Sequence, residues 1–369
     1  MLDYSRFKEQ SIKGRYINKD SIRDCFKKVP SPLIHIGDSV RGNPIHAFTM
    51  GDGGKKILMW SQMHGNESTT TKAVWDMVNY LQSDFEDAKH ILKECTLMVV
   101  PMLNPDGADD YTRENSNKID LNRDAKNLSQ PESIALRDLF ERFQPDYCFN
   151  LHDQRTLFSA GENNKPATVS FLSPASSPER DITPNREVAM KLIAAMNHRL
   201  QTLIPGQIGR YDDGFNDNCV GDTFQMLGIP TVLFESGHYP NDYEREKTRE
   251  LIFVALVEAL HTIANDTIEA FNTGDYFSIP NNHKLFFDVL VKHPELVNGA
   301  FETGQSVGIR FKEVLQDKKI IFRPKIAEIG DLNGFYGHQT IECIDSKDFG
   351  FSPEQHEILD LLREFKNLK

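Results

Sequence analysis

Short apolar runs recur along the first two thirds of the chain, and polar or turn-forming residues follow each of them. Each run has the length of one buried strand and is too short to favour a helix. The runs are PLIHIG, IHAFTMG, KKILMWSQ, CTLMVVP, DYCFNLH and TVLFE. The turn sequences RGNP and GDGG separate the first three runs, so we predict three strands there, of which the first two form a hairpin.

Between the apolar runs lie stretches in which hydrophobic residues recur at helical spacing. Val74, Met77, Val78 and Leu81 share one face because they are spaced i, i+3, i+4 and i+7. Further helices are predicted over residues 131–143, about 184–203 and about 243–270. Strands that alternate with amphipathic helices indicate an α/β fold, with a mostly parallel mixed central sheet and helices on both faces.

The pattern changes in TGDYFSIPNN, where we predict a domain boundary. Residues 1–272 form the larger predicted domain, in which residues 1–30 are interpreted as a polar helical lead-in. Residues 273–369 form a small α+β C-terminal region, in which we find no motif for chemistry. Its predicted elements are a helix over 283–296, the strands GIRFKEV and KKIIFRPKIAEI, and an amphipathic helix over 353–367.

The composition narrows the classes of partner. The chain has 369 residues and a formal net charge of −12, so its field opposes binding to nucleic acid and to anionic membranes. No apolar stretch reaches membrane-spanning length. The five cysteines are widely spaced and include no Cys-x-x-Cys pair, which favours buried free thiols in a reducing compartment. The polar N-terminus lacks the apolar core of a signal peptide, so a cytoplasmic protein is expected.

Four residues with metal-binding or proton-transfer chemistry lie at the ends of predicted strands. His64 and Glu67 stand in MHGNE after KILMW, His152 follows DYCFNL, and Glu235 ends TVLFE. Ligands in such sheets bind outside the carboxyl ends of the strands, so we expect these side chains to converge. Two histidines and one glutamate can hold a catalytic zinc ion with one position open for water, and the other glutamate can activate that water. The sequence therefore predicts a metal-dependent hydrolase with one zinc ion.

Two loop motifs add polar side chains near the same edge. NPDG follows CTLMVVP, and DLNRD follows within twenty residues. Asn122 and Arg123 can fork onto a carboxylate, because guanidinium matches that geometry with two parallel bonds. Arg113 is a further cationic candidate, although an arginine taken alone is more often a solvated surface charge. Asp120 is a candidate to hold the ring of a ligand histidine.

The order HGNE, NPDG, DLNRD, LHD and FE resembles the zinc carboxypeptidase family of the carboxypeptidase A type, over roughly residues 32–265. The segment IGDSVRGNPIHAFTMG is similar to the opening hairpin of that family. The resemblance implies a catalytic domain that binds peptides by their free C-terminal carboxylate and removes the last residue. It implies that zinc is bound by His64, Glu67 and His152, that Glu235 is the general base, that Arg113 stabilises the oxyanion, that Asn122 and Arg123 hold the substrate carboxylate, and that Asp120 lies behind the first zinc histidine.

The chain also departs from the family pattern. Asn66 stands where digestive members have arginine. Tyr211, which the resemblance assigns to substrate binding, lies in the region of the mobile tyrosine of the family but at a loose spacing to Glu235. The specificity pocket is expected near residues 219–222, where Asp222 would favour a cationic substrate end if it points inward.

Two other functions stay open on the sequence. N-acyl amino acid deacylases of the aspartoacylase or succinylglutamate desuccinylase type share HGNE-like and DLNR-like strings and the same zinc chemistry, although NPDG and the hairpin favour the peptidase. A non-catalytic, peptide-binding member of the fold is the third hypothesis, and the presence of every candidate ligand argues against it.

Overall fold

The largest unit of the fold is an eight-stranded sheet, seen in a computed structural model that describes residues 3–343 and 353–366. The strands of the described chain are β1 (Ile34–Asp38), β2 (Pro44–Met50), β3 (Lys55–Ser61), β4 (Cys95–Val100), β5 (Tyr147–Asp153), β6 (Ser159–Ala160), β7 (Val169–Leu172), β8 (Ile208–Arg210), β9 (Thr231–Ser236), β10 (Asn282–His283), β11 (Phe286–Lys292), β12 (Ser306–Gln316), β13 (Lys319–Gly330) and β14 (Tyr336–Glu342). The large sheet has the order β1-β2-β4-β3-β5-β9-β7-β8. Its central strands β4, β3, β5 and β9 are parallel, and the predicted hairpin of β1 and β2 is confirmed.

Helices cover both faces of this sheet. The helices of the described chain are α1 (Arg23–Phe26), α2 (Thr69–Leu81), α3 (Glu86–Glu94), α4 (Pro105–Asp110), α5 (Pro131–Phe143), α6 (Pro184–Gln201), α7 (Val220–Met226), α8 (Glu246–Ala264), α9 (Thr273–Phe277) and α10 (Pro353–Arg363). Helices α2, α6 and α8 contribute to one apolar core, and α5 and α7 contribute to a second core on the opposite face. The predicted α/β class, with a mixed and mostly parallel sheet, is therefore confirmed.

Alternating side chains on β5 show how the sheet presents polar residues at its edge. Phe149 and Leu151 point into the core beneath α2, α6 and α8, and Cys148 points into the opposite core. His152 comes next at the carboxyl end and pairs with Glu235 of β9 across the two strands. Burial of the apolar run thus fixes the register that brings these two polar side chains together.

The predicted helical lead-in over residues 1–30 is wrong for most of its described length. Apart from the 3-10 turn Tyr4–Arg6 and the short α1, this segment is irregular. Its backbone acceptors are satisfied by the rest of the molecule, since Arg249 of α8 donates to the carbonyls of Glu9 and Ile12. Because side chains supply these hydrogen bonds, the segment can lie extended against α2 and α8 without forming a helix.

The C-terminal region contains a four-stranded sheet of order β13-β12-β11-β14, and α10 packs against it. The long antiparallel hairpin of β12 and β13 confirms the two strands predicted there. The helix predicted over residues 283–296 is wrong, because half of that stretch is strand β11. Its phenylalanine and valine residues favour a strand. Asp288, which interrupts the apolar pattern, is buried and accepts a hydrogen bond from the backbone of Phe311 at 2.8 Å.

Helix α10 confirms the last predicted helix as far as Arg363, while the predicted end at residue 367 lies outside the described residues. The predicted domain boundary at residues 272–273 stays a prediction. In the part of the chain that the structure describes, none of the helices combines the length and the hydropathy that crossing a lipid bilayer requires.

Candidate metal centre

The HGNE turn (residues 64–67) follows β3 and leads into α2. His64 and Glu67 therefore lie in a turn between the strand and the helix. Gly65 packs against the NPDG turn, since a Cβ atom at this position would lie 1.9 Å from the carbonyl carbon of Gly107. Only glycine permits such an approach, and the contact brings the segment after NPDG beside the HGNE turn.

Three buried side chains bring their ligand atoms together at the carboxyl edge of the sheet. Nδ1 of His64 lies 2.9 Å from Oε1 of Glu67 and 3.1 Å from Nδ1 of His152. Nδ1 of His152 lies 2.8 Å from Oε2 of Glu67. Ligand atoms around a tetrahedral zinc ion are about 3.3 Å apart, so small outward shifts would admit the ion. Among the described residues, this is the one group of three such side chains that could hold a metal ion.

Neighbouring polar groups orient these ligands. Oδ1 of Asp120 lies 2.9 Å from Nε2 of His64 and can accept its N–H, which leaves Nδ1 as the atom that faces the centre. The backbone N–H of Asp153 donates to Oε2 of Glu67 at 3.1 Å. The Asp153 carboxylate in turn accepts the backbone N–H of Thr69 at 3.0 Å. The end of β5 and the start of α2 are thus tied together beside the centre.

The charges around the centre favour deprotonated ligands. Burial lowers the pKa of His152, which keeps its imidazole neutral. Burial opposes the charge of Glu67, but His64 and His152 outweigh it and hold the pKa of Glu67 well below its usual range. Burial also opposes the charge of His64, yet Glu67 and Asp120 outweigh it and raise the pKa of His64. A metal ion would displace the proton of His64, because metal ligands must be deprotonated.

Glu235 lies at the end of β9, beside His152, with 8% of its surface exposed. Its Oε2 atom is buried and has no hydrogen-bond partner within the described residues. Burial raises the pKa of Glu235 well above its usual range, and the charges of Glu67 and Asp153 add to the rise. A cation at the centre would lower this pKa again, which would leave Glu235 a carboxylate able to accept a proton.

Arg113 lies beside the centre and contacts two carboxylates. Its Nε and Nη2 atoms are each 3.0 Å from Oδ2 of Asp120, and Nη1 donates to Oε1 of Glu67 at 3.3 Å. Burial opposes its charge, but Glu67 and Asp120 outweigh burial and raise the pKa of Arg113. The side chain is 42% exposed, so it is accessible to a ligand.

Asn122 and Arg123 lie in the 3-10 turn Leu121–Arg123 and contact the start of α7. Oδ1 of Asn122 accepts the backbone N–H of Val220 at 3.1 Å and the thiol of Cys219 at 3.3 Å. Nη1 of the exposed Arg123 donates to the Asn122 carbonyl at 2.6 Å and approaches Sγ of Cys219 at 3.7 Å. These contacts hold the two side chains next to each other.

Tyr211 and Asp222 are the other two candidates for substrate binding. Tyr211 comes directly after β8, and its ring packs edge-on against Phe158 with centroids 5.4 Å apart. Burial raises the pKa of Tyr211, and the charges of Glu235 and Glu67 add to the rise, so the phenol lies within their field. Asp222, in the first turn of α7, is 6% exposed, and burial raises its pKa to about 6.

Sequence reasoning missed two residues that hold this edge of the sheet together. The first is Asp153, whose position directly after a candidate ligand is a usable signal. The second is Arg245, which is buried, has the left-handed φ of 56°, and donates to the backbone carbonyls of Ser236 and Gln154. The sequence carries no signal for Arg245, because its partners are backbone atoms at the ends of two other elements.

A sequence profile of the zinc carboxypeptidase family matches residues 27–225, which are more than half of the 369 residues. The matched region contains the HGNE, NPDG, DLNRD and LHD motifs. The chain belongs to the zinc carboxypeptidase family, as the order of its motifs predicted.

Similarity to curated proteins is confined to part of the chain. A probable carboxypeptidase 2 of Trichophyton verrucosum is 28% identical over 114 residues, which are 30% of this chain and 21% of that protein. Carboxypeptidase SOL1 of Arabidopsis thaliana is 30% identical over 137 residues, which are 32% of this chain and 28% of that protein. The matched part thus spans less than a third of either relative.

Solved structures share the fold at low sequence identity. A metallo-carboxypeptidase from Burkholderia cenocepacia aligns with a TM-score of 0.54 at 18% identity, over 68% of this chain and 70% of that one. Thrombin-activatable fibrinolysis inhibitor aligns with a TM-score of 0.53 at 16% identity, over 72% of this chain and 80% of that one. At these identities the likeness concerns the fold.

Proposed function

We propose that the protein is a zinc-dependent metallocarboxypeptidase, a hydrolase that removes C-terminal residues from peptides. The observation that carries this proposal is the buried group of His64, Glu67 and His152 beside the Oε2 atom of Glu235, which has no hydrogen-bond partner in the described part of the chain. Two imidazole nitrogens and one carboxylate suit zinc and leave a coordination position open. Membership of the zinc carboxypeptidase family supports the same class of reaction.

Glu235 is proposed as the group that moves the proton. A zinc ion held by the three ligands would lower the pKa of a water molecule to about 7 and polarise the substrate carbonyl. Oε2 of Glu235 would take the proton of the attacking water and later give it to the leaving amine. The burial of Glu235 excludes bulk water, which would otherwise compete for that proton.

Arg113 is proposed to stabilise the negative charge that develops on the carbonyl oxygen of the cleaved bond. Its guanidinium already lies beside the centre, and its 3.3 Å contact with Glu67 is long enough to be exchanged for a shorter bond to an oxyanion. The loss of one donor of this kind costs about 3 kcal/mol of transition-state stabilisation.

Asn122 and Arg123 are proposed to bind the terminal carboxylate of the substrate, so that the last peptide bond lies at the centre. Guanidinium and carboxamide groups can donate parallel hydrogen bonds to the two carboxylate oxygens. Asp222, which lies in the adjoining turn of α7, is proposed to favour a substrate whose last side chain is cationic.

The decisive measurement compares matched peptides that end in a free carboxylate or a carboxamide, with N-acyl amino acids as a third substrate set. We expect the release of one C-terminal residue from the peptide acids, which mass spectrometry detects. The amides should react at least about a hundredfold more slowly, because Arg123 loses a charge-assisted pair. Equal cleavage of acids and amides would indicate an endopeptidase, and preference for N-acyl amino acids would support the deacylase.

A matched pair of variants tests the role of the base in the same assay. Glu235→Gln should retain zinc and lose about a hundredfold or more in kcat, because it removes the proton acceptor while keeping the ligands. Glu302→Gln, at an exposed position of the C-terminal region, is the control and should keep the wild-type rate. Stoichiometric zinc with no turnover of any substrate would instead support the non-catalytic hypothesis.

A further inference from the structure

Glu313 of the C-terminal sheet reaches the segment that precedes Arg113. It lies on β12, and 27% of its side chain is exposed. Its carboxylate accepts hydrogen bonds from Nη2 of Arg15 at 3.1 and 3.2 Å, and one from the hydroxyl of Tyr111. Arg15 and Tyr111 are 5% and 9% exposed. Glu313 therefore supplies the negative charge for a buried guanidinium and also holds a buried phenol.

The segments that carry the two partners of Glu313 each form a hydrogen bond with the HGNE turn or with the residue after it. Thr112, the residue after the tyrosine partner, accepts the backbone N–H of Asn66 at 3.1 Å through its carbonyl oxygen. The carbonyl oxygen of Arg15 accepts the hydroxyl of Ser68 at 2.6 Å. One carboxylate of the C-terminal sheet thus restrains both segments that pack against this turn.

The restraint from Glu313 acts on a residue, Tyr111, whose backbone conformation is unfavourable. Tyr111 ends α4 in the left-handed conformation, with φ 56° and ψ 47°, which is unfavourable for a residue that has a Cβ atom. The hydroxyl bond to Glu313 and the ring contact with Tyr16, at 6.4 Å between centroids, hold it there. Arg113 follows two residues later, so this conformation helps to set the position of its backbone, while Asp120 and Glu67 hold its side chain.

Contacts of the C-terminal sheet hold the strand that carries Glu313 in place. The rings of Phe311 and Phe322, on the two strands of the same hairpin, each pack 5.2 Å from the ring of Tyr243. Tyr243 lies in the loop after β9 and donates a hydrogen bond to Asp288 of β11 at 3.0 Å. These aromatic and polar contacts fix the hairpin against the edge of the central sheet that carries the metal centre.

We propose that Glu313 is a positioning residue for Arg113, and that the C-terminal sheet is in this way part of the catalytic apparatus. The inference rests on the proposed function, because it gives Glu313 an effect on the transition state through Arg113. Without the carboxylate, the backbone at Tyr111 can leave its left-handed conformation. Arg113 then meets the developing oxyanion less often, while the substrate subsite at Asn122 is unaffected.

The test uses the full-length, zinc-loaded protein and three single variants. Glu313→Gln removes the charge, Tyr111→Phe removes only the hydroxyl, and Glu328→Gln changes an exposed glutamate on β13 of the same hairpin. The first two should lower kcat about tenfold or more, with KM within about twofold and an unchanged zinc content. Glu328→Gln should keep the wild-type kcat. Tyr111→Phe preserves the ion pair with Arg15, so it gives an answer even if Glu313→Gln fails to fold.

A double-mutant cycle separates positioning from general stability. If Glu313 acts through Arg113, then Glu313→Gln should not lower kcat further in an Arg113→Ala protein. A loss of about tenfold that persists in that background would overturn the proposal. Wild-type kcat in both Glu313→Gln and Tyr111→Phe would overturn it as well.

Hydrogen exchange supplies a readout that does not depend on activity. The backbone amides of residues 111–113 should exchange faster in Glu313→Gln than in Glu328→Gln, with the rest of the protein unchanged. Equal exchange in the two variants would contradict the proposal. Failure of the proposed function has a different signature, because wild-type protein would then not hydrolyse C-terminal acids, or Arg113→Ala would retain the full rate.

Discussion

Asp222 has a buried carboxylate at the start of α7, beside the proposed subsite for the terminal carboxylate of the substrate. Burial raises its pKa to about 6, although the thiol of Cys219 and the charge of Arg123 favour the ionised form. Since the pKa of this carboxyl group is raised, Asp222 is charged above about pH 6 and becomes neutral as the pH falls through that value.

We expect the preference for a C-terminal lysine over a C-terminal leucine to fall, by about tenfold, when the pH is lowered from about 8 to about 5. The ratio of kcat/KM for the two peptides measures this preference and cancels the pH dependence of the metal centre. Asp222→Asn should give a low ratio that does not change with pH. A ratio that stays constant in the wild-type protein would show that Asp222 does not contact the substrate.

Single residues could be predicted from the sequence where their signal is local. His64, His152 and Glu235 each end or follow an apolar run, so the sequence places them at strand ends. Arg15 and Glu313 belong to no motif, and they meet across 298 residues of the chain. An ion pair between such distant segments has no local pattern, which is why the sequence could not place either residue near the centre.

Helices α2 and α8 share one fully buried guanidinium. Arg249 of α8 contacts the carboxylate of Asp76 in α2 at 2.6 and 2.7 Å. It also donates to the carbonyls of Glu9 and Ile12, at 2.9 Å each, in the irregular N-terminal segment. Burial opposes its charge, but Asp76 outweighs burial and raises the pKa of Arg249. Three elements therefore depend on one charged side chain.

We expect Arg249→Met to lower the free energy of unfolding by about 3–5 kcal/mol, because it removes the cationic partner of the buried Asp76 carboxylate and leaves it the neutral donors Tyr4 and Glu9 N–H. Urea denaturation of the variant and the wild type measures this difference. The double variant Arg249→Met with Asp76→Leu should recover part of the loss, since it no longer contains an unpaired buried charge. A single variant as stable as the wild type would contradict this contribution of the ion pair.

Whole helices and strands could be predicted where the periodicity of their hydrophobic residues is clear. Helices α5 and α6 each begin with a proline at the first helical position, and both were predicted. Strands β7 and β8 were not, because they have only four and three residues. Strand β11 is buried on both faces over its first six residues, so its apolar run lacks the alternation that separates a strand from a buried helix.

At the scale of the whole molecule, the C-terminal sheet contacts the loops that follow β5 and β9 and the segment that follows α4. The backbone N–H of Phe286 donates to the carbonyl of Leu157, after β5, at 3.1 Å. Tyr243, after β9, donates to Asp288, and Glu313 binds the segment after α4. The strands that carry the candidate metal ligands, the loops and the second sheet are therefore connected by direct contacts, so stabilisation at the centre should extend to both sheets.

We expect removal of zinc by a chelator to lower the melting temperature of the entire protein, and the return of zinc to restore it. Free zinc at about 1,000 times its dissociation constant would stabilise the fold by about 4 kcal/mol. His152→Ala should lose this zinc-dependent shift, whereas His198→Ala, at an exposed position of α6, should keep it. A shift that survives in His152→Ala would indicate that zinc binds elsewhere.

The close approach of Gly65 to Gly107 has a consequence for how such a protein can change. Because the backbones of these two glycines touch, there is no side chain between the HGNE turn and the segment that leads to Arg113 that could adjust to a change in their distance. A methyl group added at Gly65 would push the HGNE turn and the NPDG turn apart. Changes of substrate preference, by evolution or by design, are therefore expected among side chains such as those of α7, beside the proposed carboxylate subsite, rather than at this glycine contact.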